Sequence, residues 1–354
     1  MTALETILKA QISAQGPMSV AQFMSLCLLH PKHGYYSTRD PFGTGGDFIT
    51  APEISQMFGE LIGLCLAHVW IDQGQPAKVA LVELGPGRGT LMADILRTIR
   101  AVPGFAAACD VHLIEASPHL RAAQKNTLTG YIPTWHDSVA TLPDDQPIYC
   151  AANEFFDALP IRQMIRNGDG WRERMIGLEG DTLSFGLSEV APLDALAHRL
   201  EDTKDGDLVE HCPAASAIMQ TLGARIEANG GAALIFDYGD WRSLGDTLQA
   251  VRDHEMVDPL HRPGQSDLSA HVDFEALIAD LHCHHSRLTP QGIFLERLGI
   301  TQRAQALAKS LSGPALDQHI AAHKRLTHAD EMGTIFKTLA LFPEGANPPA
   351  GYET

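Results

Sequence analysis

Positive charge is what this chain has least of. Its 354 residues carry 26 Lys and Arg against 43 Asp and Glu, a formal net charge of −17 at pH 7. Proteins that hold nucleic acid or an anionic membrane through their overall field need clustered Lys and Arg, so no nucleic-acid partner is expected. Long apolar runs are missing as well. No stretch approaches the ~18 uninterrupted apolar residues of a membrane span, and no membrane insertion is expected. The six cysteines, at 27, 65, 109, 150, 212 and 283, include no CxxC pair. Several lie inside apolar runs, as in Leu26-Cys27-Leu28, and read as buried free thiols in a reducing cytosol. Residues 1–12 lack the basic, apolar and small-residue regions of a secretory signal and the Arg-rich character of a transit peptide. They read instead as an amphipathic helix with Leu4, Ile7, Leu8 and Ile12 on one side.

Against these absences stand 45% apolar residues and a length that suits two domains or one enlarged α/β domain. Residues 1–75 read as helices broken by a turn-rich stretch. Ser19 caps a helix through Phe23, Met24 and Leu28, a long Gly/Pro-bearing loop follows, and a helix over 52–70 presents Ile54, Met57, Phe58, Leu61 and Ile62 on its apolar face. From about residue 76 short apolar strands alternate with helices. Strands are predicted at 79–82, 111–114, 132–135, 147–152 and 232–236, with helices at 91–99 and 118–128. That alternation specifies a parallel, doubly wound α/β sheet. The interval between the fourth and fifth strands is too long for one crossover helix. Alternating segments at 161–165, 171–176 and 182–186 predict an inserted β-hairpin or small antiparallel sheet there. Helices near 301–311, 315–327 and 330–341 follow, then a Pro/Gly tail. The expected division is a helical and loop region over 1–75, a core over 76–300 with an insertion at about 161–210, and C-terminal helices and tail over 301–354.

The segment Val82-Glu83-Leu84-Gly85-Pro86-Gly87-Arg88-Gly89-Thr90 is the most informative. Glycines at the end of a buried strand let the backbone pass close to a ligand, and the next helix offers free N–H groups. A dinucleotide site of the form G-x-G-x-x-G would place Gly at 90, where this chain has Thr. The spacing is G-x-G-x-G with an acidic residue two before the first Gly, which resembles the S-adenosylmethionine loop of class I methyltransferases. Glu83, Gly85, Gly87 and Gly89 are thus cofactor candidates. Glu115, at the tip of the second strand, supplies a carboxylate for ribose hydroxyls. Asp137 and Ser138, after the third, stand where such enzymes contact the adenine amine. Asn153 and Glu154 end the fourth strand, where methyl group and acceptor meet. Ligands of open α/β sheets bind along that edge.

Further blocks resemble one family: the mitochondrial complex I assembly-factor methyltransferases, which modify protein arginine, and their bacterial relatives. The resemblance covers nearly the whole chain. It rests on His30-Pro31-Lys32-His33-Gly34-Tyr35-Tyr36, Gly46-Asp47-Phe48-Ile49-Thr50-Ala51-Pro52-Glu53, the glycine loop, and Asn153-Glu154-Phe155-Phe156-Asp157-Ala158-Leu159-Pro160. Asp237-Tyr238-Gly239, Asp267-Leu268-Ser269-Ala270-His271-Val272-Asp273-Phe274 and Glu331-Met332-Gly333 extend it. It implies a class I, Rossmann-like S-adenosylmethionine methyltransferase sheet with an N-terminal helical addition and an inserted β-rich segment. It also implies arginine methylation of a protein client, with a complex I subunit as the natural one. A bacterial, cytoplasmic protein is expected. Two rivals stand beside this: methylation of a small molecule or another side chain, and an assembly chaperone that binds the cofactor with little turnover.

A guanidinium acceptor arrives protonated, with a pKa above about 12. A carboxylate pair matches its N–H fork. Glu154 and Asp157, with Asn153, are the catalytic candidates; Asp157 reads equally as a helix N-cap. Phe155 and Phe156 offer either a cation–π wall or core packing. From the N-terminal loop, Gly46, Asp47 and Thr50 are placed at the cofactor and Glu53 toward the peptide. His271 reaches either the acceptor mouth or a structural bond to Asp273. Arg88 contacts ligand carboxylates or decorates the turn. No metal is expected: His282-Cys283-His284-His285 alternates direction on a strand without a matching ligand pair, and His319 and His323 lack the Glu of a zincin motif.

Overall fold

Polar residues write the helix starts of the N-terminal region. Thr2 with Glu5, and Ser19 with Gln22, close capping boxes that begin α1 (Ala3–Gln15) and α2 (Val20–Leu29). Ser55 divides the helix expected over 52–70 into a short turn, Ala51–Ile54, and α3 (Gln56–Asp72), where its hydroxyl accepts from the Met57 amide. The computed structural model describes residues 2–38 and 50–354.

Then follow β1 (Val79–Leu84), α4 (Thr90–Ile99), β2 (Cys109–Ile114), α5 (Pro118–Thr127), β3 (Thr134–His136) and β4 (Ile148–Asn153). The insertion is antiparallel, with β5 (Arg162–Asn167), β6 (Gly170–Glu179), β7 (Thr182–Ala191) and β8 (Leu208–His211). After α6 (Pro213–Asn229) come β9 (Gly231–Asp240) and a small sheet of β10 (Gln249–Arg252), β11 (Glu255–Val257) and β12 (Asp267–Ser269). Helices α7 (Gln291–Arg297), α8 (Ile300–Ala308) and α9 (Pro314–Thr327) precede β13 (Phe336–Phe342).

The central sheet runs β3-β2-β1-β4-β9-β13. All neighbours are parallel except β13, which is antiparallel to β9. The order reverses between β1 and β4, and the crevice at the carboxyl ends of those strands is where such sheets bind ligands. Burial on both faces explains the unbroken apolar runs. Along β1, Val79 and Leu81 join the core under α3 and α4, while Ala80, Val82 and Leu84 join the core under α6. A third core unites the N-terminal helices with the insertion: Leu8, Phe23 and Met24 pack with Ile161, Ile176 and Leu183. Met18–Ser19 adds a short strand to β6, so the two regions share a sheet as well.

One element differs from expectation. The helix expected over 330–341 is a single turn, Met332–Ile335, followed by β13. The run Phe-Lys-Thr-Leu-Ala-Leu-Phe is apolar enough for either assignment. The β9 edge decides it, since β13 satisfies the backbone groups that edge would otherwise leave unpaired. The three-stranded sheet of β10, β11 and β12 was also not anticipated.

Candidate functional site

Gly85, Gly87 and Gly89 all adopt left-handed φ, +61°, +52° and +85°, which lets the chain turn sharply off β1. A Cβ at Gly85 would lie 2.8 Å from the Phe155 ring, so this position also requires the absence of a side chain. Gly89 is the N-cap of α4, and Thr90 at its first position donates to Glu53 at 2.6 Å, tying the N-terminal region to the loop. Gly85 and Gly87 line a cavity of about 620 Å³ at the switch point; Thr50, Glu53 and Arg88 line it too. Glu83 enters this cavity from β1. It is 3% exposed, burial pushes its carboxyl up to about 8, and its Oε2 has no hydrogen-bond partner.

The tip of β2 is organised by its own backbone. Glu115 accepts from the Ser117 amide at 2.8 Å and from Gln124 Nε2 at 3.0 Å; burial still raises its pKa. Gln124 is fully buried on α5. Its amide also donates to Gly87 O at 2.8 Å and accepts from the Trp135 indole at 2.7 Å, so one side chain joins the glycine loop to β2 and β3. Asp137 is exposed and ion-paired with Arg121, which also donates to Glu115 O. Ser138 caps the short helix Val139–Thr141, and both 137 and 138 line the cavity.

Carboxylates collect at the other end of the cavity. Glu154 follows β4 in the left-handed region at φ +51°, an arrangement that costs about 1–3 kcal/mol for a residue with a side chain. Its Oε1 accepts from the Ala51 amide at 3.2 Å and from Asn153 Nδ2 at 3.1 Å, and burial lifts its pKa to about 7. Asp157 lies alongside, with its pKa raised well above the usual range by burial and by Asp237, Glu154 and Asp267. Asp237 does not line the cavity; it accepts from the Phe156, Asp157 and Tyr238 amides and fixes the turn behind Glu154. Asp267 accepts from the Tyr36 hydroxyl at 2.8 Å. Besides Glu83 Oε2, Asn153 Oδ1 and Asp157 Oδ1 are buried without partners, and all three residues line this cavity. Unpartnered oxygen acceptors thus belong to residues at both ends of the cavity, which suits ligands that bring N–H and O–H donors.

The fold brings most of the sequence candidates together. Phe155 faces the cavity, whereas Phe156 is 3% exposed in the core under α6 and meets Phe155 edge-on, so a cation–π wall is available from Phe155 alone. Asp157 does not cap a helix. His271 lines the cavity against the Tyr238 ring, and Asp273 does not serve it: Asp273 caps the helix Phe274–Ile278 and pairs with Arg199. Gly46 and Asp47 fall outside the described residues. Among those described, no cluster of His, Cys, Asp and Glu suits a metal. The sequence analysis missed Gln124, which no motif marks. It also passed over Tyr36, Asp237, Tyr238 and Asp267, although each sits in a quoted block.

A family model described as "Putative S-adenosyl-L-methionine-dependent methyltransferase" matches residues 61–294. The chain belongs to this family. It is 38% identical over 364 residues to protein arginine methyltransferase NDUFAF7, mitochondrial, of Xenopus tropicalis, covering 94% of this chain and 84% of the relative. The human protein of the same name is 36% identical, with 94% and 82% covered. A crystal structure from Burkholderia thailandensis, bound to S-adenosyl-homocysteine, superposes with a TM-score of 0.83 at 27% identity, covering 99% of this chain and 94% of that one. The fold is that of a class I enzyme and its cofactor is S-adenosylmethionine. The residues present fit this group. The glycine turn leaves backbone exposed for close approach, Glu115 is pre-oriented for a diol, and the orphan Glu83 Oε2 requires a donor. Glu83, Gly85, Gly87 and Glu115 would hold it.

Proposed function

We propose that this methyltransferase modifies arginine on a protein client, a respiratory complex I subunit being the first to test, in a reducing cytoplasm. One observation carries the reading. Beyond the glycine loop the cavity is lined by Glu154, Asp157 and Asp267, and both Asp157 Oδ1 and the Oδ1 of Asn153 beside Glu154 are buried acceptors that lack partners. Neutral acceptors give no reason to gather three carboxylates, whereas a guanidinium offers five donors and a permanent positive charge. The relatives' names as protein arginine methyltransferases support it. Six free thiols, three of them buried, support the compartment.

When bound, S-adenosylmethionine supplies an electrophilic methyl carbon on a sulfonium. Glu154 and Asp157 supply the counter-charge that orients the acceptor nitrogen, and such placement provides much of the rate of an in-line displacement. The Phe155 ring lies against the glycine turn and gives the cation a flat wall. A bound cation favours the ionised form of Asp157, and burial makes that carboxylate more basic than an exposed one, so it is suited to take the proton that the alkylated nitrogen sheds. The test is incubation with methyl-labelled cofactor and extract from a deletion strain, followed by mass spectrometry. Label on arginine of one protein is the expected result; label on RNA, a metabolite or lysine overturns the reading.

A further inference from the structure

Tyr36 touches both halves of the cavity through different atoms. Its backbone carbonyl accepts from Ser117 Oγ at 2.7 Å, and the Ser117 amide donates to Glu115, the carboxylate of the cofactor end. Its hydroxyl donates to Asp267 Oδ1 at 2.8 Å, in the carboxylate cluster of the acceptor end. Asp267 is 9% exposed, lines the cavity, and lies close enough to Glu154 and Asp157 to raise both by repulsion. It comes from β12, and Tyr36 from the short helix Tyr35–Thr38, so two segments remote from the central sheet complete the cluster.

Resting on the arginine reading, we propose that Asp267 is a specificity-determining carboxylate for the cationic acceptor and that Tyr36 is a residue that positions it through its hydroxyl. Glu154 and Asp157 stand on the turn after β4, on one side of the acceptor space. Asp267 supplies charge from a separate element, so a guanidinium engages carboxylates from two directions and a flat neutral group does not. The carboxylate needs a fixed orientation to match the fork of N–H donors, and the Tyr36 hydroxyl provides it. The Ser117 contact sets the height of Tyr36, so the acceptor carboxylate is in register with the cofactor end.

The two roles separate experimentally, because Tyr36→Phe removes the hydroxyl and leaves the carbonyl that Ser117 uses. S-adenosyl-homocysteine binding is measured by calorimetry for wild type, Tyr36→Phe and Asp267→Asn. L-Argininamide is then titrated into each protein loaded with S-adenosyl-homocysteine. Expected is cofactor-product affinity within about twofold of wild type, with argininamide about tenfold weaker in Asp267→Asn and about threefold weaker in Tyr36→Phe. In turnover with the labelled client, KM rises by similar factors while kcat changes less. The acid limb of kcat/KM moves to lower pH in Asp267→Asn, because a charge repelling Glu154 and Asp157 is gone; a merely structural residue would not move it. Argininamide binding equal in all three proteins overturns the proposal and leaves the arginine reading intact. No argininamide binding to wild type overturns both. Parallel loss of product affinity and melting temperature reassigns Tyr36 and Asp267 to the scaffold and also overturns it.

Discussion

Glu154 holds a strained backbone position between a buried amide and the cavity, and Gln can keep both its shape and its bonds from Ala51 and Asn153. Glu154→Gln is therefore expected to bind S-adenosyl-homocysteine within about threefold of wild type in calorimetry while losing methylation by roughly 100-fold or more. Its protonation sets a second expectation. With a carboxyl titrating at about 7, the charge that attracts a cation is present above that pH and lost below it. The wild-type kcat/KM should fall as pH drops through 7, at constant thermal stability over that range or better. At Gly85, a substitution to Val adds a β-branched side chain at φ +61° and drives it into the Phe155 ring. Cofactor affinity should fall at least tenfold, and a calorimetric value equal to wild type would remove the loop from the site. Glu83, Gly85, Glu115 and Glu154 were legible in sequence because each lies at or beside the end of a strand, whereas Asp237 and Asp267 were not singled out. Which of two adjacent aromatics faces the cavity was not, since Phe155 and Phe156 occupy a turn where no period of two or 3.6 assigns a face.

Between elements, Gln124 does for the cofactor end what no single strand can do. Its amide binds the glycine loop, the β2 carboxylate and the β3 indole at once, so the three crevice-forming pieces share one buried group. Gln124→Ala leaves Trp135 and Gly87 O without that partner. A stability loss of about 2–3 kcal/mol in urea unfolding is expected, together with weaker cofactor binding. Sequence gave no hint of it, because a Gln inside a polar helix looks solvated until the fold turns that face inward. The same limit explains the sheet of β10, β11 and β12, whose strands are three or four residues long and too short to show alternation. Longer elements, such as β1, β4 and α4, were readable because both their length and their apolar pattern exceed that threshold.

For the molecule as a whole, the acidic composition has an interior component that the net charge does not reveal. Glu83 at about 8 and Glu154 at about 7 hold protons in the folded protein at pH values where an unfolded chain has released them. The unfolded state then binds fewer protons, so stability decreases as pH rises from about 4.5 toward 8. Cofactor-free protein should melt several degrees lower at pH 8 than at pH 6, and Glu154→Gln should flatten that slope; a flat wild-type profile would contradict the buried cluster. The parallel core was legible from the alternation of strands and helices, whereas the closing strand was not, since its partner edge lies far away in sequence. That distance has a consequence for synthesis. Strand β9 leaves the ribosome well before β13, at about 5–20 residues per second, and its apolar edge waits for several seconds without that partner. During that interval the nascent chain exposes a template for pairing with other chains. A chain stopped before Phe336 would keep Glu83, Gly85, Gly87 and Glu115, the residues suited to hold the cofactor, and still be the form most prone to aggregate.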